Sequence, residues 1–245
     1  KVLASVLAGL AMVGVGAAGT PVQAVYSDSG SAINISPNAK TGNYAGTNSV
    51  VVGYENKTDS DNNNWGRIIY GANNTAAGAS TLALGNENEA RGAATTAIGV
   101  GSKALDKQSV ALGNVARATK QGSVAIGSYV NAETTNSGTP TAPVYNSKDV
   151  GQYSTAVGSQ SWTKGDYSAA YGYQAEATAT NAVAIGRVSK ATGTSATAVG
   201  VNNKAQAQDS SAVGSSNTIE ATATQASAFG RENTVNRGAT IAAGY

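Results

Sequence analysis

One pattern of apolar and polar positions recurs along most of the chain. It stands most fully at Ser123-Val124-Ala125-Ile126-Gly127, with close variants at Ser109-Val110-Ala111-Leu112-Gly113, Ser154-Thr155-Ala156-Val157-Gly158 and Ala182-Val183-Ala184-Ile185-Gly186. The glycine that closes the pattern returns every 14 residues from Gly71 to Gly127, from Gly158 to Gly214, and from Gly230 to Gly244. A fixed period of this length predicts a stacked repeat in which each coil rests on the one before. Fourteen residues suffice for two short strands and two tight turns. The fold class expected is therefore all-β, a parallel β-solenoid with successive coils about 4.8 Å apart.

Alternation within the pattern sorts small residues from large. Two places before the closing glycine stands Ala in eleven of thirteen closures, and five places after it Ala is again the usual residue, as at Ala76, Ala90, Ala104 and Ala118. One place before the glycine the residue is large and apolar: Leu84, Ile98, Leu112, Ile126, Val157, Tyr171, Ile185, Val199, Val213 and Phe229 among others. Residues of opposite parity point to opposite faces of a strand. If the alanines face inward, two sheets lie close together and the large residues form a stripe on the outside. Such a stripe is larger than the apolar patches monomers expose. Those ten residues are then expected to be the interface of an obligate oligomer, each contributing roughly 1.5–3 kcal/mol on burial. The reverse orientation, with the large residues filling a wider roll, also fits the alternation.

The period breaks in three places. Gly53 to Gly71 is four residues too long, which puts a surface loop near 58–64, and two extra residues lie between Gly214 and Gly230. Gly127 to Gly158 spans 31 residues and contains Pro140 and Pro143. Proline supplies no ladder donor, so a loop leaving the stack is expected over 133–150. Between 25 and 48 the repeat is weak, although Ile33 and Ile35 alternate with polar neighbours and suggest a strand in a first irregular coil. The regular roll is expected over 49–245.

The first residues read differently. An apolar run over 2–18 follows Lys1 and leads to Pro21-Val22-Gln23-Ala24, the pattern of a partial signal peptide over 1–24 cleaved after Ala24. A membrane anchor is the alternative reading of the same run.

Composition narrows the chemistry. The 245 residues include no Cys and no His, which leaves no thiol, zinc-finger or imidazole chemistry. Charged residues make up only 12%, and the net charge of +2 is too small for a nucleic-acid partner. Carboxylates such as Glu87, Glu89, Asp106, Glu176 and Asp209 are scattered by repeat position, with no pair suited to acid–base work. Asp59-Ser60-Asp61-Asn62 lacks the glycine and distal glutamate of a calcium loop. No catalytic, cofactor or metal site is expected, and an enzyme is not. Charges do align four places after the closing glycine, at Glu89, Lys103 and Arg117 and again at Glu176, Lys190 and Lys204. They read as a solvated column or as two small basic patches. Trp65, Trp162, Tyr167 and Tyr173 are candidate contacts for a protein ligand.

The hexapeptide Ser123-Val124-Ala125-Ile126-Gly127-Ser128, its variants through residues 49–244, and the apolar start Val2-Leu3-Ala4-Ser5-Val6-Leu7-Ala8-Gly9-Leu10-Ala11-Met12-Val13 resemble the head domain and signal of YadA-like trimeric autotransporter adhesins. The resemblance implies a left-handed parallel β-roll, a homotrimer, and export to the Gram-negative cell surface. Anchoring in the outer membrane would then come from a C-terminal domain outside these residues. It also implies binding to host matrix proteins such as collagen or to cell-surface proteins, with contact residues among Ser123, Val124, Ala125, Ile126, Gly127 and Ser128. A rigid spacer, with adhesion placed elsewhere in a longer chain, is the competing expectation. An ice-binding solenoid would need a uniform row of Thr, which no position supplies.

Overall fold

The computed structural model describes residues 23–27, 32–36, 49–58, 66–139 and 142–244. Among them the chain is an all-β parallel solenoid. One wall is a 15-stranded sheet, and the other consists of a 5-stranded and a 6-stranded sheet. The long sheet starts with Gln23–Ser27 antiparallel to Ala32–Ser36, which in turn pairs parallel with Ser49–Tyr54. Each closing motif then adds the next parallel strand in register, so that Ala111 lies between Ala97 and Ala125, and Leu112 between Ile98 and Ile126. The opposite wall is made of two-residue strands such as Glu89–Ala90, Lys103–Ala104 and Arg117–Ala118.

The expected strand at Ile33 and Ile35 is present as Ala32–Ser36. The apolar run over 2–18 lies outside the described residues, and the expected cleavage point after Ala24 falls within the strand Gln23–Ser27. The insertion near 58–64 likewise lies outside the described residues from position 59, as does Trp65.

Alanines form the interior. Ala97, Ala111 and Ala125 from the long wall and Ala90, Ala104 and Ala118 from the short wall are all fully buried. The large residues therefore point outward, and the wide-roll alternative is not the one adopted. A methyl on each wall sets a thin, dry core that no larger side chain could fill from both sides. Where the core does hold a larger residue, the other wall answers with a small one: Ile69 is buried with Ala76, and Ile219 with Ala212.

Two backbone features fix the turns. Gly99 has φ of 130°, and a Cβ there would lie 1.8 Å from the Gly113 carbonyl oxygen of the next coil. Only glycine fits, both by conformation and by space. Two places after and five places before a closing glycine the backbone is left-handed in coil after coil, as at Val115 (φ 57°), Val188 (φ 60°), Tyr153 (φ 52°) and Tyr167 (φ 57°). These are costly conformations for bulky or β-branched residues. Backbone bonds between coils hold them, for example Val188 N–H to the Tyr173 carbonyl at 2.9 Å.

The excursion between Gly127 and Gly158 is a β-hairpin rather than an irregular loop. Ala132–Thr139 runs antiparallel to Ala142–Ser147. Its register shifts between Thr135 and Thr139, opposite the stretch that contains Pro143. The shift is how the ladder accommodates a residue that has no N–H to give. The hairpin leaves the short wall, and there the wall divides into its two sheets.

Candidate functional site

The outer face of the long sheet is the most extensive feature of the surface. The stripe residues follow one another across the strands in register: Leu84 beside Ile98, Leu112 beside Ile126, Val157 beside Tyr171, and Val213 beside Phe229. Ile185 is 41% exposed and Phe229 44%, while Leu84, Ile98, Leu112, Val157, Val199 and Val213 are half-buried by their neighbours. Two places earlier in the strands a second outward column adds Ile68, Val110, Val124, Val183 and Ile241, the last 74% exposed, interspersed with Thr96, Thr155, Thr197, Ser211 and Ser227. Adjacent columns with this much apolar area form a continuous face.

The hexapeptide singled out as a ligand contact divides by parity. Ser123 and Ala125 are buried, and the Ser123 hydroxyl donates to the Lys120 carbonyl at 2.6 Å. Gly127 has φ of 132° and closes the coil. Val124, Ile126 and Ser128 remain at the surface. Gly127 is as accessible as Val124 and Ser128, so an external ligand can touch these four, and Ser123 and Ala125 keep them in place.

The charged column is largely paired. Glu89 lies 2.9 Å from Lys103 and also contacts Arg91, and Glu176 lies 3.0 Å from Lys190. Burial alone raises the Glu89 pKa, but hydrogen bonds from Lys103 and Arg91 and the charges behind them outweigh it, so the carboxyl is held below its ordinary value. Arg117, in register with Lys103, is buried and donates Nη1 to the Gly101 carbonyl. Burial lowers its pKa and the charge of Glu89 works against that. The register that places Lys190 beside Lys204 therefore yields one carboxylate for two cations in the second block.

The aromatic candidates have separate roles. Trp162 carries Lys148 over its ring at 4.6 Å and donates Nε1 to the Asp149 carbonyl at 2.7 Å, so it clamps the returning leg of the hairpin. Tyr167 stacks on Tyr153, with centroids 5.5 Å apart. Tyr173 is exposed beside the stripe. No group of three or more acidic residues that could hold a metal ion is present among the described residues.

Sequence reasoning passed over a ladder three places after the closing glycine. Asn74 Nδ2 donates to the Gly85 carbonyl at 2.7 Å, Asn88 to Gly99 at 2.7 Å, and Asn203 to Gly214 at 2.7 Å. Each Oδ1 accepts the next coil's amide, as Asn74 does from Asn88 N–H at 2.9 Å. Ser102 and Ser189 make the same bond to the glycine carbonyl with a hydroxyl. The recurrence of Asn or Ser at a step of 14 was the visible signal.

Residues 90–116, 107–129, 150–175, 164–189 and 191–217 match the family described as the YadA head domain repeat. The match stops at 129 and resumes at 150, so the hairpin lies outside the matched residues. No curated protein matches the chain.

Proposed function

Because the chain carries a YadA-like head domain, we propose that it is the head of a cell-surface adhesin, wound as a left-handed roll and assembled as a homotrimer. Heads of this family form homotrimers in general, and the family is one of non-enzymatic adhesins on the Gram-negative outer membrane. The observation that carries the reading is the unbroken apolar face. Leu84, Ile98, Leu112, Ile126, Val157, Tyr171, Ile185, Val199, Val213 and Phe229 pack against other copies and remove that face from water. Export begins with the apolar leader over 1–24, and a membrane anchor outside these residues holds the assembly at the surface.

The ligand is a host matrix protein of the collagen type or a cell-surface protein, met across the repetitive surface. Within the hexapeptide the contact falls on Gly127 and Ser128, which lie outside that apolar face, with Ser123 and Ala125 as support. Binding of the chain to immobilised collagen and a panel of matrix proteins tests this. The account expects binding to at least one, reduced by Ser128→Lys with the fold unchanged. A folded chain that binds none of them supports the rigid spacer instead.

A further inference from the structure

We propose that Tyr153 and Tyr167 form a stacking platform for a neutral carbohydrate chain at the edge of the roll, away from the apolar face. The two rings are stacked at 5.5 Å with 11° between their planes. They are nevertheless 43% and 61% exposed. Both stand five places before the glycine that closes their coil, where the backbone is left-handed, with φ of 52° and 57°. Other coils put Gly122, Asn181, Ser195 and Asp209 at this place, and also Gln108 and Gln225, so the left-handed backbone belongs to the coil. A bulky aromatic is costly there. The scaffold is firm: Tyr153 N–H bonds the Gln121 carbonyl at 2.8 Å and Tyr167 N–H bonds the Gln152 carbonyl at 2.9 Å.

The stack is closed on one side and open on the other. A Cβ on Gly122 would lie 2.5 Å from the Tyr153 ring, so the glycine lets that ring lie flat on the preceding coil. On the far side the next coil carries the shorter Asn181 at the same place, and Tyr167 is the more exposed of the two rings. Thr180, Asn181, Thr194 and Ser195 of the following turns are exposed, as is Asp166 beside Tyr167. An exposed ring face beside amides, hydroxyls and the Asp166 carboxylate suits a pyranose, whose axial C–H groups stack and whose hydroxyls exchange hydrogen bonds with such groups. An apolar peptide anchor would need a desolvated pocket, and these turns offer none.

The test uses the chain on an array of neutral glycans, with Tyr167→Asn and Tyr167→Phe as variants. The proposal expects binding to at least one neutral glycan, retained by the Phe variant and weakened about tenfold or more by the Asn variant. It also expects the Asn variant to unfold at the same temperature as the parent or higher, because Asn relieves the left-handed strain while giving up the stack. Absence of binding to every neutral glycan, or equal binding by Tyr167→Asn, overturns it. So does a Tyr167→Asn variant that loses stability in step with binding, which marks the ring as structural. Matrix-protein binding that survives in Tyr167→Asn leaves the adhesin reading intact, so the two can fail separately.

Discussion

The Oδ1 of Asn131 accepts the backbone N–H of Thr163 at 2.9 Å, across 32 positions of sequence. On its other side the same amide donates Nδ2 to the Arg117 carbonyl at 3.0 Å. The short wall has no strand between Arg117–Ala118 and Trp162–Thr163, because the chain turns out into the hairpin at Asn131, where φ is 51°. The side-chain amide thus stands in for a missing peptide unit and carries the ladder across the gap. Asn131→Ala leaves a buried carbonyl and a buried N–H without that partner. We expect a loss of about 2–4 kcal/mol in denaturant unfolding. Asn131→Asp keeps the acceptor and loses the donor, so it should also destabilise. An Ala variant as stable as the parent would remove Asn131 from this role.

The Asn ladder makes a graded prediction. Asn88→Ser keeps a donor for the Gly99 carbonyl, as Ser102 does for Gly113 at 2.7 Å, but gives up the Oδ1 that accepts the Ser102 N–H, and should cost about 1–2 kcal/mol. Asn88→Leu removes the bonds and forces bulk into a buried site, with an expected loss of about 3 kcal/mol. Hydrogen exchange at the neighbouring coils is the readout, since damage in a solenoid is felt first next door.

Strain at the second left-handed place is removable. Val188 is β-branched with φ of 60°, where Asn202 occupies the same place one coil later with φ of 56°. Val188→Asn should raise stability by about 1 kcal/mol. A decrease in the unfolding midpoint would show that Val188 contributes more by packing than it costs in conformation.

Much of this was legible because it repeats. Ala125 and Ile126 stand next to each other in a pattern of period two, so one must face in and the other out; the alternation leaves open which, and the burial of Ala125 against the exposure of Ile126 settles it. Asn88 was equally visible at its step of 14, but asparagine is common in turns for local reasons, and its bond to the next coil is a property of stacking that no single coil displays. The hairpin was hidden by Pro140 and Pro143, which read as loop. A strand tolerates Pro143 here because the register shifts there. Asn131 could not be read at all, since its task is defined by a strand that is absent.

Acid should weaken the charged column in a defined way. Burial raises the Glu89 pKa, but Lys103 and Arg91 bring it below its ordinary value. A carboxyl whose folded pKa lies below its unfolded pKa contributes stability above the unfolded pKa, and that contribution disappears as pH falls through the folded pKa. The pair is partly exposed, so its share is about 0.5 kcal/mol. Glu89→Gln should lower the urea midpoint slightly at neutral pH and by less at a pH below the ordinary carboxylate range. An equal effect at both would assign the loss to shape rather than charge.

The outward apolar face is the centre of the account, and the mass of the chain in solution tests it most directly. Sedimentation equilibrium should give three copies, and Ile126→Glu together with Ile185→Glu should yield folded single chains, because Ile126 and Ile185 are 36% and 41% exposed and lie outside the alanine core. A parent chain that is well folded and monomeric across the concentration range would contradict the account.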